Sequence, residues 1–213
     1  MINVEDVNYV YQPGTPFEKQ ALSDINLEIP NGSITAIIGR TGSGKSTLVQ
    51  LFNALIRPTS GRITINGTDI TAKNADLRAM RFKVGLVFQY PEYQLFEETV
   101  FADVAFGPKN MGLSDEETER RVKNAMKLAG LDEKYEKRSP FELSGGEKRR
   151  AAIAGVLAMS PEILILDEPA AGLDPVGRDG IFALIRELHL KNPEMIVIII
   201  SHSMEDVAEI ADN

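Results

Sequence analysis

The stretch that most constrains the fold of this chain is Gly39–Thr47, which reads GRTGSGKST. Its first eight residues match the pattern G-x-x-x-x-G-K-[ST], and the motif stands after an apolar run and before a helical pattern over 47–55, as it requires. Glycines at such a turn let backbone N–H groups surround a phosphate, and the following helix directs its positive end at it. The stretch predicts a nucleotide-binding loop, and the alternative is a glycine-rich turn without a ligand.

Each polar member of the loop has an expected role toward ATP and Mg²⁺. Lys45 is expected to reach the β and γ phosphates, Ser46 to offer its hydroxyl to Mg²⁺, and Thr47 to donate to the α phosphate. Arg40 either lies near a phosphate or is simply solvated. The predicted ATP-binding set within the loop is Gly39, Arg40, Thr41, Gly42, Ser43, Gly44, Lys45, Ser46 and Thr47.

Short apolar runs predict the strands of the fold. Four runs rich in β-branched and aliphatic residues indicate buried parallel strands: Ile34–Ile38, Val84–Phe88, Ile163–Leu166 and Met195–Ile200. Each run ends on polar residues or glycine, and ligands of open α/β sheets bind at the carboxyl ends of strands, so the endings are expected to converge on one site. Three alternating segments indicate antiparallel strands with a hairpin turn at Asn66-Gly67: Asn3–Tyr11, Leu22–Ile29 and Arg62–Ile65.

The middle of the chain has a helical pattern. Ser114–Glu117 fits a capping box with Gly130 as the stop, and a second helix is expected after Ser144, running through Ala158. Gly107-Pro108 and Ser139-Pro140 are expected breaks. We therefore predict one α/β domain with a mostly parallel sheet and an antiparallel β part, in which 1–90 and 161–213 form the core and about 91–160 forms an inserted helical subdomain.

Two carboxylates end the third apolar run, on a strand that we expect beside the phosphate loop. Asp167 is placed to hold the magnesium directly or through water. Glu168, one residue further, is placed to polarise an attacking water as a general base. The alternative is an acidic turn ahead of Pro169.

Composition narrows the function classes. The chain has 213 residues, no cysteine, a hydrophobic fraction of 43% and a formal net charge of −8. The charge argues against a general nucleic-acid surface, and the longest apolar run, Met195–Ile200, is far shorter than a bilayer requires. With no secretory signal pattern, a cytosolic location is the default expectation.

The pentapeptide Leu143–Glu147, LSGGE, completes a series of motifs that resembles the ATP-binding cassette (ABC) ATPases. The resemblance implies that Ser144, Gly145 and Gly146 contact the γ phosphate of ATP held by an opposite subunit. Ser144 and Glu147 also fit a capping box, so the motif has a second explanation as a helix start. The family more often has Gln where Glu147 stands, which is a departure from its pattern.

The same resemblance assigns roles to four single residues. Gln89 would contact magnesium or the attacking water, although a Gln after a strand is usually only a strand end. His202 would hold the γ phosphate and orient the water with Glu168. Asp174, in the Gly172–Pro175 segment, would face the opposite subunit, or simply form a turn. Tyr11, with Tyr9 as the second candidate, would stack on adenine, and the alternative for this aromatic is packing across strands.

Two stretches, Tyr11–Phe17 and Phe88–Pro108, resemble the ATPases of energy-coupling factor (ECF) transporters, as does the signature helix beginning LSGGEKRRAAIAGVLA. The second stretch is similar to the second of the two ATPase types. The resemblance implies a heterodimer of two ATPases, or a homodimer, at the cytoplasmic face of the membrane. There they would bind a membrane coupling protein and a substrate-binding membrane subunit for a vitamin or a transition-metal ion.

An apolar set in this stretch fits docking of a coupling helix, and the alternative is that about half of it packs the helical lobe: Tyr90, Tyr93, Leu95, Phe96, Phe101 and Phe106. Lys148-Arg149-Arg150 is expected to be a solvated helix face. The C-terminal segment that the family uses for subunit pairing is not found after the His202 region, so the chain is expected to be a shortened form. Competing hypotheses are a soluble ABC clamp acting on DNA or ribosomes, and a subunit that binds ATP without hydrolysis.

Overall fold

Two four-stranded sheets organise the computed structural model, which describes residues 1–212; Asn213, the last residue of the predicted core, lies outside the described residues. The strands are β1 Ile2–Tyr11, β2 Lys19–Ile29, β3 Ile34–Ile38, β4 Ser60–Ile65, β5 Thr68–Asp69, β6 Val84–Val87, β7 Ile163–Asp167 and β8 Ile196–Ser201. The helices are α1 Lys45–Phe52, α2 Leu77–Lys83, α3 Val100–Asn110, α4 Asp115–Leu128, α5 Gly145–Leu157, α6 Pro175–Lys191 and α7 Met204–Ile210. Short 3-10 helices span Pro91–Gln94, Glu133–Tyr135 and Pro140–Glu142.

The parallel sheet has the order β3-β8-β7-β6, which confirms the four predicted parallel strands. Strand β7, which ends in Asp167, is not the neighbour of β3, because β8 lies between them. The carboxyl ends of all four strands still share one edge of the sheet. Asp167 therefore reaches the loop across the end of β8.

Successive residues of the parallel strands point to opposite faces of the sheet and into two separate cores. On β7, Leu164 and Leu166 pack into the core formed with α3, α4, α5 and α6. Ile163 and Ile165 pack into the core shared with α1 and the antiparallel sheet. This alternation follows from the two-residue period of a strand. The parallel sheet is thus covered on both faces, as purely parallel sheets require.

The antiparallel sheet has the order β2-β1-β4-β5 and contains the predicted alternating strands. Asn66 and Gly67 form the turn between β4 and β5, with φ values of 48° and 77°. Two successive positive φ values are what a two-residue hairpin of the favoured twist needs, so the predicted turn is confirmed. This sheet brings Tyr11 and Lys19 opposite each other at the end of β1.

The helices between β6 and β7 depart from the sequence expectations at two places. Gly107-Pro108 does not break a helix but lies inside α3, which ends at Asn110. At α4, the Ser114 hydroxyl accepts from the Glu117 N–H, while the Glu117 carboxylate binds Arg120 and Arg121, so only half of the predicted capping box forms. The predicted helix after Ser144 is confirmed as α5, with Ala158 as its C-cap.

The expectation of a solvated basic face on α5 is wrong for Arg149, whose side chain is 1% exposed. Arg150 is partly buried and donates to the carbonyls of Ala129 and Gly180. Helices α3 to α5 share one buried cluster with α6 and the sheet. Their division from the core as a subdomain over 91–160 stays a prediction. Within residues 1–212, no helix has both the length and the apolar character needed to cross a bilayer.

Candidate functional site

The phosphate loop joins β3 to α1 through three glycines with positive φ. Gly39, Gly42 and Gly44 have φ values of 154°, 81° and 94°. Gly44 also approaches β2 closely: a Cβ there would lie 2.6 Å from the Ala21 carbonyl oxygen. The loop therefore needs glycine at this position for backbone conformation and for space. Helix α1 has no side-chain cap at its start, so its first N–H groups face the loop.

Lys45 folds back over the loop. Its Nζ donates to the carbonyl oxygens of Gly39 at 2.7 Å and Arg40 at 3.0 Å. The ammonium group is thus held at the first two residues of the loop. A cation and oriented amides at one helix start make an anion-binding site. The Arg40 residue itself is exposed.

Ser46 and Asp167 meet at the floor of the site. The Ser46 hydroxyl donates to Asp167 Oδ2 at 2.9 Å, and Asp167 is 8% exposed. Burial raises the pKa of the Asp167 carboxyl, as does the charge of Glu168, while the Ser46 hydrogen bond and Lys45 oppose the rise. A hydroxyl and a carboxylate this close supply the oxygen ligands that Mg²⁺ prefers, and Mg²⁺ commonly takes only one or two carboxylates from a protein. These donors fit a magnesium ion.

Glu168 and His202 form a pair above this floor. His202 Nδ1 lies 2.8 Å from Glu168 Oε1, with side-chain exposures of 72% and 14%. Glu168 has φ 51°, a left-handed backbone that is uncommon outside glycine. Such a conformation costs on the order of 1–3 kcal/mol and recurs at functional sites. The turn at the end of β7 aims the carboxylate at the imidazole on the neighbouring β8 ending.

Tyr11 stands at the rim of the cleft. Its hydroxyl lies 3.0 Å from Thr47 Oγ1, and its ring packs edge-on against Tyr9 with centroids 4.8 Å apart. Tyr9 lies on the same strand as Tyr11, so this contact is not the cross-strand packing proposed as the alternative. Tyr11 is 38% exposed and lines the cleft, and its stacking on adenine stays a prediction.

A cleft of about 430 Å³ collects most of the predicted site residues. Its lining includes Tyr11, Thr41, Gly42, Gly44, Lys45, Ser46, Thr47, Gln89, Asp167, Glu168 and His202. Gly39, Arg40 and Ser43 are in the loop but do not line the cleft. Sequence reasoning missed three lining residues, Lys19, Ala21 and Ile200. The pairing of Lys19 with Tyr11 across β1 and β2 is the signal that could have located the first two.

The signature residues and Asp174 lie outside this cleft. Ser144 and Gly145 are exposed at the start of α5. Glu147 completes the capping box: its carboxylate accepts from the Ser144 N–H and hydroxyl, both at 2.8 Å, and from the Tyr135 hydroxyl at 2.6 Å. These bonds, Tyr135 first, lower the pKa of Glu147 to about 2. Asp174 caps α6 by accepting from the Gly177 N–H at 2.7 Å.

The fold and the cleft together define a phosphate-loop ATPase. A phosphate loop, a lysine, a hydroxyl–carboxylate pair and a carboxylate–histidine pair stand at one edge of a parallel sheet. This arrangement can bind a nucleoside triphosphate and hydrolyse it.

Comparison with known proteins specifies the family. The ABC transporter family matches residues 22–171. The chain is 62% identical over 211 residues to the energy-coupling factor transporter ATP-binding protein EcfA2 of Clostridium tetani, covering 99% of this chain and 73% of that protein. It is 60% identical to EcfA2 of Clostridium acetobutylicum, covering 99% and 74%. The chain belongs to the ABC transporter family of ATPases and, within it, to the energy-coupling factor transporter ATP-binding proteins.

Solved structures agree with this assignment. CbiO1 of Clostridium perfringens, part of the ABC transporter complex CbiONQ, superposes with a TM-score of 0.87 at 42% identity, covering 99% of this chain and 82% of that one. The ATP-binding cassette MJ0796, in a dimeric post-hydrolysis state with ADP and Pi, has a TM-score of 0.84 at 30% identity, covering 97% and 90%. The predicted fold class is confirmed, and the chain is an ABC-type ATPase that binds and hydrolyses ATP. These relatives support transport and not action on DNA or ribosomes.

Proposed function

We propose that this chain is the ATP-hydrolysing subunit that powers an ECF-type importer for a vitamin or a transition-metal ion. The observation that carries the proposal is the convergence of Lys45, Ser46, Asp167, Glu168 and His202 on one cleft. The names of its relatives supply the transport class.

Within the cleft, each side chain has a defined task toward Mg²⁺-ATP. The loop amides and Lys45 bind the phosphates, and Thr47 lies beside them. Ser46 and Asp167, with Gln89, would hold magnesium, which neutralises charge on the phosphates. Tyr11 would contact adenine. Glu168 accepts a proton from the attacking water, and His202 orients the Glu168 carboxylate and the γ phosphate.

The signature residues Ser144, Gly145 and Gly146 would act on ATP in a second ATPase subunit. Their exposure at a helix start, outside the cleft of their own chain, supports this half-site arrangement. Glu147 stabilises that helix start from within, so its charge is directed at Ser144 and Tyr135 rather than at a phosphate. Asp174 would face the same partner. The partner is a second ECF ATPase, or another copy of this chain.

A second surface supports attachment to a membrane coupling protein at the cytoplasmic face. An apolar groove of about 500 Å³ lies between α3, α5 and the end of β6. Phe96 and Phe106 line it, half exposed, with ring centroids 5.0 Å apart. Such a groove fits the apolar face of a coupling helix. Of the other residues expected there, Leu95 lines the groove, Phe101 packs on the core, and Tyr90 and Tyr93 are exposed outside the groove.

Replacement of a groove residue tests the transport assignment. We expect Phe106→Glu to retain the fold, since the side chain is 46% exposed, but to lose co-purification with an integral membrane protein and ATP-dependent uptake. Leu190→Glu on α6, 79% exposed and outside the groove, is the matched control. A Phe106→Glu protein that stays membrane-bound and transports at the control rate would refute docking in this groove. Wild-type protein purified without any membrane partner would contradict the importer assignment.

A further inference from the structure

Arg149 is a buried charged residue for which the hydrolysis mechanism above has no use. It lies on α5, five residues after the N-cap Ser144, and is 1% exposed. A guanidinium in a protein interior is costly unless its donors are satisfied. Its partners therefore indicate what its burial achieves.

One side of the guanidinium donates hydrogen bonds to Glu92, which lies in the 3-10 helix after Gln89. Arg149 Nη2 donates to Glu92 Oε1 at 3.1 Å and Oε2 at 3.2 Å, and Nε donates to Oε2 at 3.3 Å. The Glu92 side chain is 17% exposed. This bidentate pairing fixes the orientation of the guanidinium relative to the carboxylate as well as the distance between them.

The other side of the guanidinium donates hydrogen bonds to the loop that follows Glu168. Arg149 Nη1 donates to the carbonyl oxygens of Pro169 at 3.0 Å and Ala171 at 2.8 Å. The same loop is tied to Glu168 itself, because the Ala171 N–H donates to the Glu168 carbonyl at 3.1 Å. The loop ends at Asp174, the cap of α6.

A single side chain thus joins three segments that are far apart in the sequence: the Glu92 segment, the signature helix and the loop from Glu168 to Asp174. The Glu92 segment and this loop also approach each other at Gly172, where an added Cβ would lie 3.5 Å from the Tyr90 ring. Lysine could not replace this arrangement, because one ammonium lacks the planar fork that reaches both sides.

We propose that Arg149 is a positioning residue that sets the loop carrying Glu168 and Asp174 relative to the Gln89–Glu92 segment. The proposal rests on the function assigned above. The Glu92 segment runs directly into the residues of the apolar groove, Leu95 and Phe96, so Arg149 connects the docking surface to the general base. Hydrolysis then depends on Glu92 although Glu92 touches neither Glu168 nor the 169–171 loop in the contacts described.

The test uses the assembled complex with four variants: Arg149→Lys, Glu92→Gln, the double variant, and Arg150→Lys as a control. Arg150 lies on the same helix and donates to two other carbonyls. For Arg149→Lys and Glu92→Gln we expect kcat for ATP hydrolysis to fall about tenfold or more, as small misplacements of catalytic groups do. The KM for ATP should stay within about twofold of the wild-type value, because the phosphate loop is untouched.

Non-additivity is the second expected result. Since both residues belong to one link, the double variant should match the more impaired single variant within about twofold. Glu92→Gln preserves shape and one hydrogen bond, so it reports on the link even where Arg149→Lys folds poorly.

Two results would overturn the role of Arg149: a kcat for Glu92→Gln equal to that of Arg150→Lys, or losses in kcat that multiply in the double variant. A fall in melting temperature with unchanged kcat per folded complex would likewise mark a structural role only. If the wild-type complex transports while these variants behave like the control, the proposed function stands and the link is refuted.

Discussion

Alanine substitution at two glycines of the phosphate loop separates backbone strain from steric exclusion. Gly42 and Gly44 both have positive φ, 81° and 94°. A Cβ at Gly42 would meet no atom within 4 Å, whereas at Gly44 it would lie 2.6 Å from the Ala21 carbonyl oxygen and 2.8 Å from Leu22 Cδ2. A left-handed backbone costs an L-residue about 1–2 kcal/mol, so Gly42→Ala should lose about that much unfolding free energy.

In Gly44→Ala the new methyl group lies too close to the Ala21 carbonyl oxygen, so the backbone must shift to accommodate it. Overpacking of this kind typically costs about 1–3 kcal/mol, so the total loss should be about 2–5 kcal/mol. Urea unfolding without nucleotide measures both variants. ATP titration should show weaker binding for both, because Gly42 and Gly44 both line the cleft and a strained backbone at either position displaces the loop amides. Equal unfolding free energies for the two variants would refute the steric argument at Gly44.

Further predictions concern two carboxylates. Burial raises the pKa of Asp167, so ionising it destabilises the nucleotide-free protein as pH rises above its ordinary value of 3.8. Asp167→Asn should therefore unfold at a higher urea concentration than the wild type at pH 7, and this difference in stability should shrink toward pH 4. The variant should also bind Mg²⁺-ATP more weakly. Lower stability of the variant at pH 7 would contradict the effect expected from burial. The pKa of Glu147 is lowered from 4.5 to about 2, so its ionised form contributes stability above pH 4.5 that is lost as pH falls toward 2. Glu147→Gln should be less stable than the wild type at pH 7, and the difference in unfolding free energy should close over that range; a pH-independent difference would contradict the capping role.

The parts of the fold that local patterns determine were predictable from the sequence. The apolar runs of β3, β6, β7 and β8 and the Asn66-Gly67 turn depend on residues next to one another, and the structure has them where expected. The order of the strands in the sheet, in contrast, does not depend on residues that are adjacent in the sequence. Strand β8 follows α6 in the chain and lies between β3 and β7, and no local pattern specifies that position.

Tertiary packing overrode local preference in α3. Gly107-Pro108 is a helix breaker in isolation, but a Cβ on Gly107 would lie 2.7 Å from the Met159 side chain, and Pro108 is buried. Packing against the end of α5 therefore holds the last turn of α3 in place. The sequence of α3 alone gives no sign of this neighbour.

The burial of Arg149 likewise depends on residues distant in the sequence and could not be predicted from its neighbours. A three-residue basic run usually lies on a solvated face, and the acceptors that allow its burial come from residues 92, 169 and 171. Within the site, Lys19 was missed for a similar reason, since only the pairing of β1 with β2 brings it to the cleft. The motif residues were found because their spacing is itself the signal.

Replacing Glu168 with glutamine determines whether this carboxylate is the general base of ATP hydrolysis. Glutamine keeps the size of the side chain and a polar atom toward His202 but cannot accept the proton of the attacking water. In the assembled complex we expect ATP affinity within about threefold of the wild-type value and phosphate release reduced by about 10²-fold or more, the usual contribution of a general base. Glu205→Gln, exposed on α7 and outside the cleft, should hydrolyse normally. Phosphate release by Glu168→Gln at the wild-type rate would contradict the assignment of Glu168 as the base.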